Sequence, residues 1–323
     1  MAEVVTDILV LALDIGGTNS RGEVLRWGSG TLSEPLAQAS LPTPSGDGDG
    51  AVNTIITLCR TLLGALDEPT RALVAGIGLG VPGVLDTDRG VVTLASNVGW
   101  VNRPICADIE AAVGLPVYLT HDVTAAGAAE QRLGAGRGCD DVIAVFLGTG
   151  IAASITSGGH LVTGGVLPGG GRQPAGEIGH LPVDVHGPLC SCGQRGCLEL
   201  MSSARAIGRR YSVARGVDPD GPDALTSRDV VAALGTDPVA KDVWDDATRY
   251  LAHGLLAVTI AVGATRIIMG GGLSQAGRVL TDSVRAHLVE QTRVASVPEI
   301  VTAQLGQRAG VLGVALHALD QIV

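Results

Sequence analysis

Aromatic side chains are almost absent from this chain, which has one Phe, three Trp and three Tyr in 323 residues. Basic residues are also short: 22 Lys and Arg stand against 32 Asp and Glu, for a net charge of −10. A nucleic-acid binder needs positive charge for phosphates and flat rings for bases, and this composition supplies neither. The same sign of charge opposes docking on anionic lipid. No apolar run reaches the ~20 residues that span a bilayer. The apolar start at residues 8–13 has no basic stretch before it and runs into Asp14, so it reads as a buried strand and not as a signal peptide. No G-x-x-x-x-G-K-S/T stretch occurs, which excludes a P-loop.

What is present suits a folded protein with large cores. The chain is 46% hydrophobic and 17% charged, which argues against disorder, and its length allows two domains of ordinary size. The six cysteines fall into a cluster of three and isolated residues at 59, 106 and 139. That spacing favours a metal and scattered buried thiols over disulfides, in a reducing compartment, with the cytoplasm as the default.

The cluster is the most specific local signal. Residues 176–199 read G-E-I-G-H-L-P-V-D-V-H-G-P-L-C-S-C-G-Q-R-G-C-L-E. His180, Cys190, Cys192 and Cys197 offer one imidazole and three thiolates, the ligand set of a closed tetrahedral zinc site. Soft ligands disfavour magnesium there, and four protein ligands leave no open position, so the zinc is expected to be structural. Glu177 and Glu199 bracket the ligands, where a rigid metal knot would present both carboxylates.

Glycine turns form the second signal. The first strand ends in D-I-G-G-T-N, Asp14 to Asn19, and a second apolar run follows at hairpin distance. Such a turn can aim backbone N–H groups at an anion, Thr18 adds a hydroxyl, and Asp14 can hold Mg²⁺ through water. The pattern recurs: V-I-A-V-F-L at 142–147 ends in Gly148, Thr149 and Gly150, and a return strand follows. A repeated hairpin suggests two similar domains facing one nucleotide.

G-E-I-G-H followed by C-x-C-G-x-x-G-C-L-E resembles the ROK family of repressors, open reading frames and sugar kinases, and the likeness extends over nearly the whole chain. The resemblance implies an α/β, two-domain actin-like ATPase (ribonuclease H-like) fold with a nucleotide and sugar cleft between the lobes. The lobes are expected at 1–121 plus 306–323 and at 122–305, the second carrying the zinc segment 180–197. It also implies the site. Asp122, at the end of a strand in H-D-V-T-A-A, is the expected catalytic base. Gly83, Asn97, His121, Asp122, Glu177, His180 and Glu199 are the expected sugar contacts. Asp14, Gly16, Gly17, Thr18, Asn19, Gly148, Thr149, Gly150, Gly270, Gly271 and Gly272 would hold the nucleotide. His121 and Thr124 stand where the family usually carries Asn, and the longer imidazole shifts the hydroxyl it can reach.

The expected activity is ATP-dependent phosphorylation of a hexose, most simply at the 6-hydroxyl, with ATP, Mg²⁺ and structural Zn²⁺. A kinase for an amino-hexose (kanosamine-type) or N-acetylhexosamine is the alternative. A sugar-sensing regulator is disfavoured because the first strand leaves no room for a preceding helix-turn-helix. A homo-oligomer, dimer or tetramer, is expected. Three smaller expectations bear on the structure. The Gly- and Pro-rich stretch 156–176, with Arg172 as a solvated surface residue, is irregular and free to move. Arg205, Arg209 and Arg210 lie on the outer side of a helix. The helix at 239–261 buries His253 at its core edge and bends or breaks near Gly254.

Overall fold

The computed structural model describes residues 7–28, 30–166, 172 and 174–323. Of the Gly- and Pro-rich stretch, residues 167–171 and 173 lie outside the described residues. The chain divides into two compact units. One comprises the described residues of Met1–Ala129, Thr163–Pro174 and Gln307–Val323; the other comprises Glu130–Val162 and Ala175–Gly306.

In the first unit, β1 (Ile8–Ile15) turns back antiparallel into β2 (Asn19–Gly28), with Ile15 opposite Ser20. β3 (Thr31–Leu32) and β4 (Ala37–Pro42) pair with β2. α1 (Gly48–Gly64), capped by the Asp47 carboxylate on the Gly50 amide, and the short α2 (Glu68–Arg71) lead to β5 (Val74–Val81), parallel to β1. A small antiparallel sheet follows, β6 (Val84–Asp86), β7 (Val91–Ala95) and β8 (Trp100–Arg103). After α3 (Ile105–Val113), β9 (Val117–His121) joins parallel to β5 and gives way directly to α4 (Asp122–Leu133). β1 is apolar throughout because both its faces are covered, as continuous runs in such sheets usually are. Leu9, Leu11, Leu13 and Ile15 pack with the inner sides of α1 and α3. Val10 and Ala12 pack on the terminal helix Ala309–Ile322.

The second unit repeats the plan. β10 (Val142–Leu147) and β11 (Ile151–Ser157) are antiparallel, with Leu147 opposite Ile151, and β12 (His160–Leu161) extends the hairpin edge. A 3-10 turn (Ile178–His180) precedes α5 (Leu198–Ser202), α6 (Ala204–Ala214), α7 (Ser227–Ala233) and α8 (Pro238–Val262). β13 (Arg266–Gly270) lies parallel to β10. α9 (Arg278–Gln291) then leads to β14 (Glu299–Thr302), parallel to β13. Both sheets thus follow one order: a hairpin, then two parallel strands added beside its first strand.

The helix α8 runs through Gly254 without a break. A Cβ at Gly254 would lie 2.7 Å from Leu198 Cδ2, so the glycine admits α5 at close range instead of breaking α8. His253 is exposed, not at the core edge as expected, because the helix turns Ala252 and Leu255 inward and His253 away. Cys59 and Cys106 are buried free thiols, pushed up to about 12 by burial, and so are inert; Cys139 is free and half-buried. Among the described residues no helix is long and apolar enough to cross a membrane.

Candidate active site

Strand register brings the first unit's candidates to one edge. Asp14 on β1 is aligned with Gly80 on β5, which is aligned with Thr120 on β9, and His121 and Asp122 come next. All three strands are parallel, so these residues gather at their carboxyl ends, where open α/β sheets place ligands. Asp122 begins α4, and its Oδ1 accepts the Val123 N–H at 2.7 Å, a cap it supplies to its own helix. His121 Nδ1 lies 3.3 Å from the same Oδ1, so two groups converge on one oxygen of the carboxylate. Burial first, then the charge of Asp122, raises the Asp14 carboxyl to about 7, against an opposing effect of Arg21. The terminal helix causes part of that burial, since a Cβ at Gly310 would collide with the Asp14 carboxylate.

The turn between β1 and β2 is tighter than the sequence implies. The Gly16 N–H donates to Asn19 O at 3.0 Å and is spent within the turn. Gly17 is needed for a close approach: a Cβ there would sit 3.0 Å from Asn97 Nδ2. Asn97 is itself held in place by its backbone. Its carbonyl accepts the Gly46 N–H at 3.2 Å, and the buried Trp100 donates from Nε1 to Gly48 O at 2.8 Å, pinning the two loops together. Gly83 has φ +108 and lies against β7, with no room for a side chain beside Leu94. Thr18 and Asn19 are exposed on the turn. Arg172 pairs with Asp88, Nε to Oδ2 at 3.4 Å, and is only half-buried.

The second unit gathers a matching set. Here too the first turn amide is spent, Gly148 N–H to Gly150 O at 3.0 Å, and the Gly148 carbonyl accepts from Ala204 N at 2.9 Å, tying the turn to α6. A Cβ at Gly150 would lie 3.0 Å from Glu199 Oε2. Gly271, with φ +79, brings the end of β13 against Leu147, so Gly270, Gly271 and Gly272 stand beside the same turn. Gly176 and Gly179 explain the spacing of G-E-I-G: any side chain at either would collide with the backbone of β11, on which the 3-10 turn rests. Glu177 is exposed ahead of that turn.

The ligating atoms of His180, Cys190, Cys192 and Cys197 all lie within 4.8 Å of one another. Cys192 and Cys197 sulfurs are 3.6 Å apart and Cys190 Sγ is 3.8 Å from His180 Nδ1. A sulfur pair at that spacing is too far for a disulfide and close to the ~3.8 Å edge of a zinc tetrahedron with ~2.3 Å Zn–S bonds. The donor set and its spacing therefore fit zinc. Glu199 Oε1 lies 3.8 Å from His180 Nδ1, so the carboxylate borders both the cluster and the turn.

Two features escape sequence reading. Glu130 is fully buried and accepts the amides of Ala135 (3.0 Å), Gln304 (3.1 Å) and Leu305 (2.7 Å), a structural carboxylate with no periodicity to betray it. Arg205, Arg209 and Arg210 do not merely face outward: they line a cavity of about 420 Å³ together with Thr149, Gly150 and Glu199.

Two mixed α/β units of one topology, each with a glycine turn after its first strand, match sugar kinase structures of the actin-like ATPase class. The chain belongs to the ROK family, whose model matches residues 10–321. It is 32% identical over 322 residues to a glucokinase of Halalkalibacterium halodurans, covering 95% of this chain and 94% of that one. A ROK hexokinase structure from Thermus thermophilus superposes with a TM-score of 0.79 at 30% identity, covering 98% and 99% of the two chains. A ROK glucokinase from Streptomyces griseus, solved with glucose and AMPPNP, gives 0.76 at 30% identity, covering 95% and 98%.

Proposed function

We propose that this protein transfers the terminal phosphoryl group of ATP to a hexose, at the 6-hydroxyl. The observation that carries the proposal is Asp122. It sits at the carboxyl end of β9 with Oδ1 held by the Val123 N–H and His121, beside an acid that resists ionising unless positive charge is near. Asp122 Oδ2 takes the proton as the sugar oxygen attacks the γ-phosphorus; the bond to the bridging oxygen breaks, and ADP leaves. Phosphoryl transfer asks mainly for position and charge. The Asp14–Asn19 and Gly148–Gly150 turns are assigned to the phosphates, and Gly270–Gly272 to the adenosine. Asp14, a hard oxygen donor beside a second carboxylate, is the residue to hold Mg²⁺, which supplies charge neutralisation on the phosphates.

The sugar is assigned to Gly83, Asn97, His121, Glu177, His180 and Glu199. His180 turns Nδ1 toward the cysteines, which leaves Nε2 for a hydroxyl. Zinc held by His180, Cys190, Cys192 and Cys197 would fix the loop from which Glu199 projects. The glucose and AMPPNP in the Streptomyces griseus relative support this assignment of substrates.

One observation favours the amino-hexose alternative. His121 Nδ1 lies 3.3 Å from Asp122 Oδ1, which leaves Nε2 as the ring nitrogen for a sugar substituent. The longer imidazole, where the family usually carries Asn, is what favours a substituent other than a plain hydroxyl there.

The test is ADP release across hexoses, N-acetylhexosamines and amino-hexoses, with Asp122→Asn alongside. The expected result is turnover of at least one hexose and a loss of about 10³-fold in kcat for the variant with sugar affinity kept. A panel with no ADP release, or a variant at the native rate, sinks the proposal.

A further inference from the structure

The arginines of the cavity beside α6 are used by neither substrate as assigned above, although the cavity shares Thr149 and Gly150 with the nucleotide and Glu199 with the sugar. Arg205, Arg209 and Arg210 line it together with Thr149, Gly150 and Ser191. Two of the three guanidiniums have partners: Arg209 meets Asp220 at 2.6 Å, and Arg210 meets Asp246 and donates to the Met201 carbonyl at 3.0 Å. Arg205 is exposed and makes no close side-chain hydrogen bond among the described residues; the nearest opposite charge it feels is Asp220, the carboxylate already paired with Arg209. The first amides of α6 do not account for the site, since the Ala206 N–H is taken by Ser203 Oγ at 3.1 Å. The charge comes from side chains. Three guanidiniums face two carboxylates, Asp220 and Asp246, so a surplus of positive charge remains at the cavity although this chain carries a net charge of −10, and the concentration is local. Guanidinium forks match the paired oxygens of phosphate, and Thr149 and Ser191 add hydroxyl donors to the lining. Glu199, which also lines the cavity and lies 3.8 Å from His180, sets a limit, because its charge repels an anion near the Cys/His cluster.

We propose that this cavity is a phosphate-binding site in which Arg205 and Arg209 grip phosphate oxygens and the Thr149–Gly150 turn meets the same ligand. It deepens the kinase proposal, resting on the assignment of that turn to phosphates. The shared chemistry fits a phosphate chain running on from the turn, or a single phosphate on a small effector.

The experiment is calorimetric binding to the full chain with no sugar present, using inorganic tripolyphosphate, orthophosphate and a hexose 6-phosphate as probes. Native protein binds at least one probe, and Arg205→Gln with Arg209→Gln weakens it by about tenfold or more, while Arg205→Lys, which keeps the charge and loses the fork, has an intermediate loss. Both arginines are exposed, so thermal melting of the variants stays near native. Tripolyphosphate binding that ATP displaces assigns the cavity to the donor; orthophosphate or hexose 6-phosphate binding that ATP leaves intact assigns it to an effector. No binding of any probe, or equal binding by native and double variant, overturns the proposal. Because no turnover is read, such a failure is distinct from a failure of kinase activity.

Discussion

In the first hairpin the residue one step before the strand end is Asp14, opposite Arg21; in the second the matching residue is Phe146, opposite Ala152. The backbones share a plan, and each turn spends its first amide internally. Each also presses a glycine against a polar side chain assigned to sugar, Gly17 against Asn97 and Gly150 against Glu199. On the proposed assignment the turns join phosphate and sugar contacts, and a methyl group at either would press on the side chain beside it. They differ in where charge is kept. One unit holds ionisable groups at the strand ends, Asp14 and Asp122. The other places an aromatic ring against Gly270 at the matching step and gathers its charge on α6 and in the metal cluster.

The largest expected break of this contrast comes from the matched positions themselves. Asp14→Asn should lower kcat by about 10²–10³-fold, because the cation's anchor is lost. Phe146→Leu should hold kcat within about threefold, since it changes packing alone. Equal losses in steady-state assays would erase the distinction between the hairpins. Next in size, Cys197→Ser should release zinc, read by metal analysis, and weaken sugar binding by about 10–100-fold through loss of the Glu199 loop. Unchanged sugar affinity in zinc-free protein would remove the metal from the sugar site. Smaller still, Gly17→Ala and Gly150→Ala should each raise the KM for sugar by several-fold, roughly 1 kcal/mol of local displacement. The second should be the worse, because Asn97 has an exposed amide free to swing while Glu199 is confined beside His180.

Much of this was legible in residues. Continuous apolar runs ending in glycine mark β1 and β10 because both strands are covered on two faces, and the thiol spacing marks the cluster. What escaped has physical causes. His253 sits among apolar neighbours in sequence, but only the helix phase decides that it faces out. Gly254 looks like a break in α8, yet it serves contact with Leu198, a residue more than fifty positions away. Glu130 ends an alanine-rich helix like any surface acid, and only the fold shows the three amides converging on it. The cavity beside α6 is legible only once the Gly148 carbonyl ties the turn to that helix.

A further effect separates the hairpins by pH alone. In the folded protein the Asp14 carboxyl is raised from 3.8 to about 7, so the native state binds a proton that the unfolded chain has released. The stability contributed by that proton is fully present below the unfolded value and is lost as pH rises through about 7. Metal-free protein in chelator should therefore unfold at lower urea at about pH 8 than at about pH 5, by ~2 kcal/mol, because water reaches the half-buried residue and screens it. Asp14→Asn should flatten that slope. Adding Mg²⁺ at the higher pH should restore the native midpoint and leave the variant's where it was. The second hairpin, with Phe146 in the matching place, has no such group, and Phe146→Leu should leave the slope as it is in native protein. An unchanged slope in Asp14→Asn would mean that the acid near the first turn is not the group that titrates, and that the two hairpins do not differ electrostatically in this way.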